Sequence, residues 1–145
     1  MRVYLDNCCF NRPYDDQSQP VMRLETEAIS SIKNEIAFGK YELVWSYMLD
    51  YENNKNPFDN KHDEIMGWSN IAVENIQFNE IIEARQRHYM TLGLKPEDAV
   101  HLACADETGC AYFITTDKGV LRKQTYIPEI RILNPVLFVY EQQGK

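Results

Sequence analysis

The chain is short of histidine, of paired cysteines, of long apolar runs and of positive charge. Its only histidines are His62, His88 and His101, and Cys8, Cys9, Cys104 and Cys110 form no C-x-x-C pair. That combination argues against a structural zinc site. Adjacent cysteines such as Cys8 and Cys9 rarely bond to each other, and four reduced thiols point to a cytoplasmic protein. No apolar run approaches the ~18 residues that a membrane helix needs. The opening MRVYLDNCCF lacks the long apolar stretch of a secretory leader. Lys and Arg number 15 against 22 Asp and Glu, a net charge of -7. Broad electrostatic attraction to nucleic acid or to an anionic membrane is therefore disfavoured, although a local basic patch is not. The surplus of acids has a second meaning, because several carboxylates gathered at one place can hold cations.

What is present is enough for one self-folding domain over residues 1–145, with 44% hydrophobic residues and no repeat or linker to divide it. RVYL (2–5) reads as a buried strand that ends at Asp6, and NRPYDDQSQP (11–20) reads as a loop. From Val21 to Phe38 apolar residues recur at helical spacing, with Gly39 as the stop. YELVW (41–45) is the second strand, and Ser46 caps a short helix that runs to about Asn53. Further helices are expected over 61–71 and 79–91, the latter ended by Gly93, with AVENIQF (72–78) as a weak strand between them. AYFITT (111–116) is a strong strand, followed by a helical turn over 118–124, the strand IRIL (130–133) and a closing helix PVLFVYEQ (135–142). Strands alternating with helices predict a three-layer α/β/α sandwich on a mostly parallel sheet, with ligands at the carboxyl ends of its strands.

The segment LKPEDAVHLACADETG (94–109) carries the most informative anomaly. Pro96 suits a first helical position, and acids in a first turn are favourable there. Yet at 100° per residue Asp98 falls between Leu102 and Ala105, on the apolar stripe. A carboxylate aimed at the core is costly without a partner. Asp6 ends the first strand, Asp117 ends AYFITT, and Glu52 lies in the helix after the second strand. Strand ends and the first turns of the following helices share one rim, so Asp6, Glu52, Asp98 and Asp117 can converge. Two carboxylates ~4 Å apart repel by ~4 kcal/mol at an effective dielectric near 20. Mg²⁺ or Mn²⁺, which take oxygen ligands, would relieve that repulsion and would explain why Asp98 points inward. Each acid also has an ordinary alternative: a strand-end turn former for Asp6, a helix cap for Asp117, a first-turn charge for Asp98, a solvated helical acid for Glu52. Asp106, two turns below Asp98, reads as solvated.

At these residues the chain resembles the PIN-domain family, including its VapC-like toxin ribonucleases. VYLDNCCFNRP resembles the family's first strand and first acid, at Asp6. LVWSYMLDYE resembles the strand, serine and helix that bring the second acid, at Glu52. LKPEDAVHLACADETGCAYFITTDKGVL resembles the acid-bearing helix, glycine turn, strand and last acid, at Asp98 and Asp117, with Thr115 or Thr116 at the neighbouring hydroxyl position. The similarity runs from Val3 to about Leu133. It departs after the first acid, where many relatives have Thr or Ser and then Asn but this chain has Asn7 and Cys8. The loop after it is also longer than in minimal relatives. The resemblance implies a PIN-like fold and a Mg²⁺- or Mn²⁺-dependent ribonuclease acting on single-stranded RNA. Asp6, Glu52, Asp98 and Asp117 would be both catalytic residues and metal ligands. A small antitoxin protein and a homodimer are the implied partners. Asn7, Arg12, Thr116 and Lys118 are the expected substrate contacts, within a wider set of cations that adds Lys55, Lys61, Arg122 and Lys123; of these Lys118, Arg122 and Lys123 stand next to Asp117. Two other classes compete. A small-molecule phosphohydrolase working through an aspartyl-phosphate usually carries D-x-D at the first strand end, and here Cys8 takes the place of the second acid. A non-catalytic PIN-like module that binds RNA or protein would not need all four acids.

Overall fold

A computed structural model describes residues 1–144. Five strands, β1 (Arg2–Leu5), β2 (Glu42–Ser46), β3 (Glu74–Ile76), β4 (Tyr112–Ile114) and β5 (Arg131–Leu133), form one sheet in the order β3-β2-β1-β4-β5. Every pairing is parallel, with Tyr4 opposite Val44 on one side and Leu5 opposite Ile114 on the other. Successive strands move outward from β1 first to one side and then, after β3, to the other. The break in strand order lies between β1 and β4, and crevices at such a break are where open α/β sheets bind ligands.

Eight helices complete the chain: α1 (Asn7–Asn11), α2 (Pro20–Ala37), α3 (Tyr47–Asn54), α4 (Asp59–Ser69), α5 (Glu80–Thr91), α6 (Pro96–Glu107), α7 (Lys118–Leu121) and α8 (Pro135–Gln143). Their starts follow local chemistry. Pro20, Pro96 and Pro135 open α2, α6 and α8, while Ser46, Asn79 and Asn134 cap α3, α5 and α8 through their side chains. Gly39 and Gly93, after α2 and α5, have φ of 85° and 95°, a backbone state costly for any residue with a Cβ.

Successive strand residues point to opposite faces, and β4 shows both layers directly. Tyr112 packs edge-on against Phe138 of α8, whereas Phe113 stacks on Tyr4, whose hydroxyl meets His101 of α6. Helices therefore cover both faces, as the α/β/α expectation required. Val3, Tyr4 and Leu5 are wholly buried, as are Leu43, Val44 and Trp45 of β2. Full burial of a side chain such as Leu or Val contributes roughly 1.5–3 kcal/mol, which locks these strands in the centre.

The sequence did not reveal α1. The chain turns from β1 directly into it, with the Asp6 side chain accepting from the Asn7 amide. A further tight turn covers Arg12–Tyr14, inside what read as open loop. Asn, Cys and Phe are indifferent helix formers, and it is the burial of Cys9 and Phe10 that selects the helix.

Candidate active site

Asp6 and Asp117 come from the two strands that flank the break in strand order. The Asp6 amide donates to the Ile114 carbonyl at 2.9 Å, extending the β1–β4 ladder by one residue. Thr115 then bridges the two acids. Its hydroxyl donates to Asp6 Oδ2 at 2.8 Å and accepts from the Asp117 amide at 3.0 Å. Thr115, not Thr116, is thus the hydroxyl that touches the acids; Thr116 Oγ1 instead accepts from Arg12 Nη2 at 2.7 Å. Asp117 Oδ1 caps α7 through the Gly119 and Val120 amides. The capping role foreseen as the alternative for Asp117 is real, and Asp6, whose foreseen alternative was a turn former, accepts from the Asn7 amide at the start of α1.

Asp98 sits on the first turn of α6, half-buried, and among the described residues it has no hydrogen-bond or ion-pair partner. Its pKa is raised to about 6, by burial first and then by the negative charges of Asp6 and Asp117, against the opposing pull of His101 and Lys95. The negative charges at the ends of β1 and β4 therefore disfavour ionisation of Asp98 on α6.

Glu52 approaches from α3, and its partner is one that the sequence did not flag. Its Oε1 accepts from Nε2 of His101, a histidine only 1% exposed in its side chain. Nδ1 of the same ring is 2.6 Å from the Tyr4 hydroxyl, which is 2.6 Å from Ser46 Oγ. Ser46 also caps α3, the helix that carries Glu52, so the chain of hydrogen bonds returns to the element where it started. Burial disfavours the charged form of His101, but the Glu52 hydrogen bond and the charges of Asp6, Glu52 and Asp98 together raise its pKa. Its Nε2 is 3.9 Å from Asp6 Oδ1. When protonated, His101 places a positive charge between Glu52 and Asp6. The signal for it was present: it follows Asp98 by three residues on one helical face.

The remaining expected contacts separate into two kinds. Asn7 lies inside the site, its Nδ2 donating to Glu52 Oε2 at 3.4 Å, and Lys118 is exposed on the turn beyond Asp117. Arg12 is not free at the surface. It pairs with the buried Glu25 at 3.2 Å and with Asp15 at 2.8 Å as well as bonding Thr116, so it ties the segment after α1 to α2 and to the rim. Asp106 corrects the expectation of a solvated acid: its Oδ2 accepts from Arg85 and, at 2.9 Å, from the Tyr89 hydroxyl, joining α6 to α5.

Oxygen donors on unpartnered or lightly held carboxylates suit a hard divalent ion. Among the described residues, however, no three His, Cys, Asp or Glu side chains stand grouped as a complete metal shell. The contacts explain why: Glu52 is held by His101, and one oxygen of Asp117 is committed to its helix cap. Mg²⁺ does not require such a cage, since it commonly uses one or two carboxylates, several waters and substrate phosphates. The donor chemistry fits, with Asp98 as its free member. No helix among the described residues is long and apolar enough to cross a membrane.

This five-stranded parallel sheet with helices on both faces is a PIN-like fold. The chain is similar to a chain of the crystal structure of VapBC2 from Rickettsia felis bound to a DNA fragment from their promoter, at TM-score 0.60 and 12% identity, covering 92% of this chain and 98% of that one. It is similarly close to a chain of DNA-bound VapBC from Salmonella typhimurium, at TM-score 0.61 and 15% identity, with coverage of 93% and 98%. Identities this low establish a shared fold. No family model matches the sequence, and no curated protein does.

Proposed function

We propose that the protein is a metal-dependent endoribonuclease that cleaves single-stranded RNA, and that it is the toxin of a pair with a small antitoxin protein. One observation carries the reading: Asp98 is directed inward without a protein partner, and the charges that oppose its ionisation are Asp6 and Asp117. Mg²⁺ or Mn²⁺ would be held by Asp6, Asp98 and Asp117, with Glu52 joining from α3, and would supply Lewis acidity at the scissile phosphate. Thr115 orients Asp6, His101 and Tyr4 anchor Glu52, and the Asn7 amide, which donates to Glu52, would donate to a phosphate oxygen when substrate is bound. The likeness to chains of VapBC assemblies supports the antitoxin partner, and the homodimer belongs to the same reading through the family resemblance alone.

Cleavage of single-stranded RNA in Mn²⁺ or Mg²⁺ by the wild type, Asp6→Asn and Asp98→Asn tests the reading. Activity confined to the wild type is expected, and activity retained in both variants would reject the site. A second reading, a binding module without catalysis, draws support from the Glu52–His101 contact, which occupies one oxygen of that acid. RNA bound tightly but never cut, in either metal, would favour it.

A further inference from the structure

The acid cluster repels the very polyanion proposed as its substrate, in a chain of net charge -7. A strand must therefore reach it along a local surface of different chemistry. One groove of 180 Å³ opens beside Glu52, and apart from that acid and Pro57 its lining consists of Asn7, Asn11, Asn53, Lys55, Asn56 and Lys61. Four amides and two ammonium groups make a wall of hydrogen-bonding donors and acceptors with positive charge. The groove runs into the site through Asn7, which touches both Glu52 and Asn11. Asn53 is 3% exposed; its Nδ2 donates to the His62 carbonyl, but its buried Oδ1 has no partner. An orphaned acceptor in a groove wall is costly unless something donates to it.

The groove's size selects among ligands. Free small-molecule sites begin at ~300 Å³, so this groove suits one segment of a longer molecule. Amides match ribose hydroxyls and base edges, and lysines match phosphates. Two aromatic rings stand exposed on the same stretch of chain, Tyr51 at 54% and Phe58 at 66%, where bases of an unpaired strand can stack. Lys55 lies over the Tyr51 ring at 4.1 Å. Of the cations next to Asp117, one is committed elsewhere. Lys123 is turned back over the α5–α6 turn, so close that a Cβ on Gly93 would lie 2.8 Å from its Nζ.

We infer that this asparagine- and lysine-lined groove seats the nucleotide adjoining the scissile phosphate of single-stranded RNA, an inference that rests on the ribonuclease reading. Phosphate contacts come from Lys55 and Lys61, and base or ribose contacts from the asparagines.

The test measures binding by fluorescence anisotropy, using a labelled single-stranded RNA with phosphorothioate linkages in low-salt Mg²⁺ buffer. Lys55→Glu with Lys61→Glu is compared with Lys40→Glu with Arg87→Glu, two exposed cations outside the proposed site, each checked for an unchanged melting temperature. The first pair should weaken binding at least tenfold and flatten the slope of log affinity against log salt by about 1.4, two phosphates at roughly 0.7 each. The second pair should change affinity less than threefold. Equal affinity of wild type and the first pair, or an equal loss in the second, overturns the groove and leaves the ribonuclease reading standing. A wild type that binds no RNA at all removes the ribonuclease reading, and the groove falls with it.

Discussion

Asp98 and Asp106 lie on one helix, two turns apart, and have opposite surroundings. Asp106 is held by Arg85 and by the Tyr89 hydroxyl, both from α5. Asp98 has no such partner and faces two further acids. A carboxylate that packs into a protein is normally satisfied by a cation or by donors. Asp106 follows that rule and its work is architectural. Asp98 breaks it, at the break in strand order of a parallel sheet, and on that ground we propose it as a site residue. The difference does not lie in the residue type or in helical position but in what the neighbouring element offers.

Substituting each acid in turn separates the two roles. Asp98→Asn should lower RNA cleavage by at least a hundredfold, equivalent to about 2.7 kcal/mol of lost transition-state stabilisation. The melting temperature of that variant at neutral pH should not fall, because a mutually repelling charge has been removed. Asp106→Ala should do the reverse: cleavage close to wild type and a loss of roughly 1–3 kcal/mol of stability from the unpaired Tyr89 and Arg85, read in chemical denaturation. If the Asp106 change abolished cleavage while Asp98→Asn left it intact, the assignment would be inverted.

Tyr4→Phe probes the link between architecture and site. It removes only the hydroxyl between Ser46 and His101. The expected cost is about 1–2 kcal/mol, together with a roughly tenfold fall in kcat, as is usual for groups that orient a ligand from behind. KM for RNA should be unchanged. A fall in stability with kcat intact would make the relay purely structural.

The smallest effect is a pH slope. Asp98's pKa is raised to about 6 in the folded protein, against ~3.9 when unfolded. The folded state then binds more protons across that interval, so its stability contribution is present below about pH 4 and is lost as pH rises through about 6. His101, also raised, acts in the same direction at higher pH. Asp98 remains partly solvated, so the discounted magnitude is on the order of 1–2 kcal/mol. In chelator, the stability of wild type relative to Asp98→Asn should decline between pH 4 and pH 6 by about that amount. A flat difference would show that Asp98 feels no neighbouring charge.

Much of this was readable in the sequence, for physical reasons that differ by region. β1, β2 and β4 were legible because central parallel strands are continuous apolar runs. Ser46, Gly39 and Gly93 marked helix boundaries because capping and positive φ are local demands. The inward direction of Asp98 followed from helical periodicity alone. What failed was non-local. Nothing near Asp106 in sequence announces Arg85 and Tyr89, which belong to another helix. α1 owes its form to the burial of Cys9 and Phe10 rather than to propensity. Arg12 read as a surface cation because its buried partner, Glu25, lies across a loop. His101 was visible as a neighbour of Asp98, but its bonds to Tyr4 and Glu52 require the sheet to be assembled first.

The central claim is that Asp98 lacks a protein partner because a divalent cation is its partner. Calorimetric titration of Mn²⁺ into wild type, Asp98→Asn and Asp106→Asn measures this without reference to catalysis. The account predicts binding by wild type and by Asp106→Asn with similar affinity, and at least a tenfold loss in Asp98→Asn. Equal Mn²⁺ affinity in all three proteins, or none in the wild type, would contradict it.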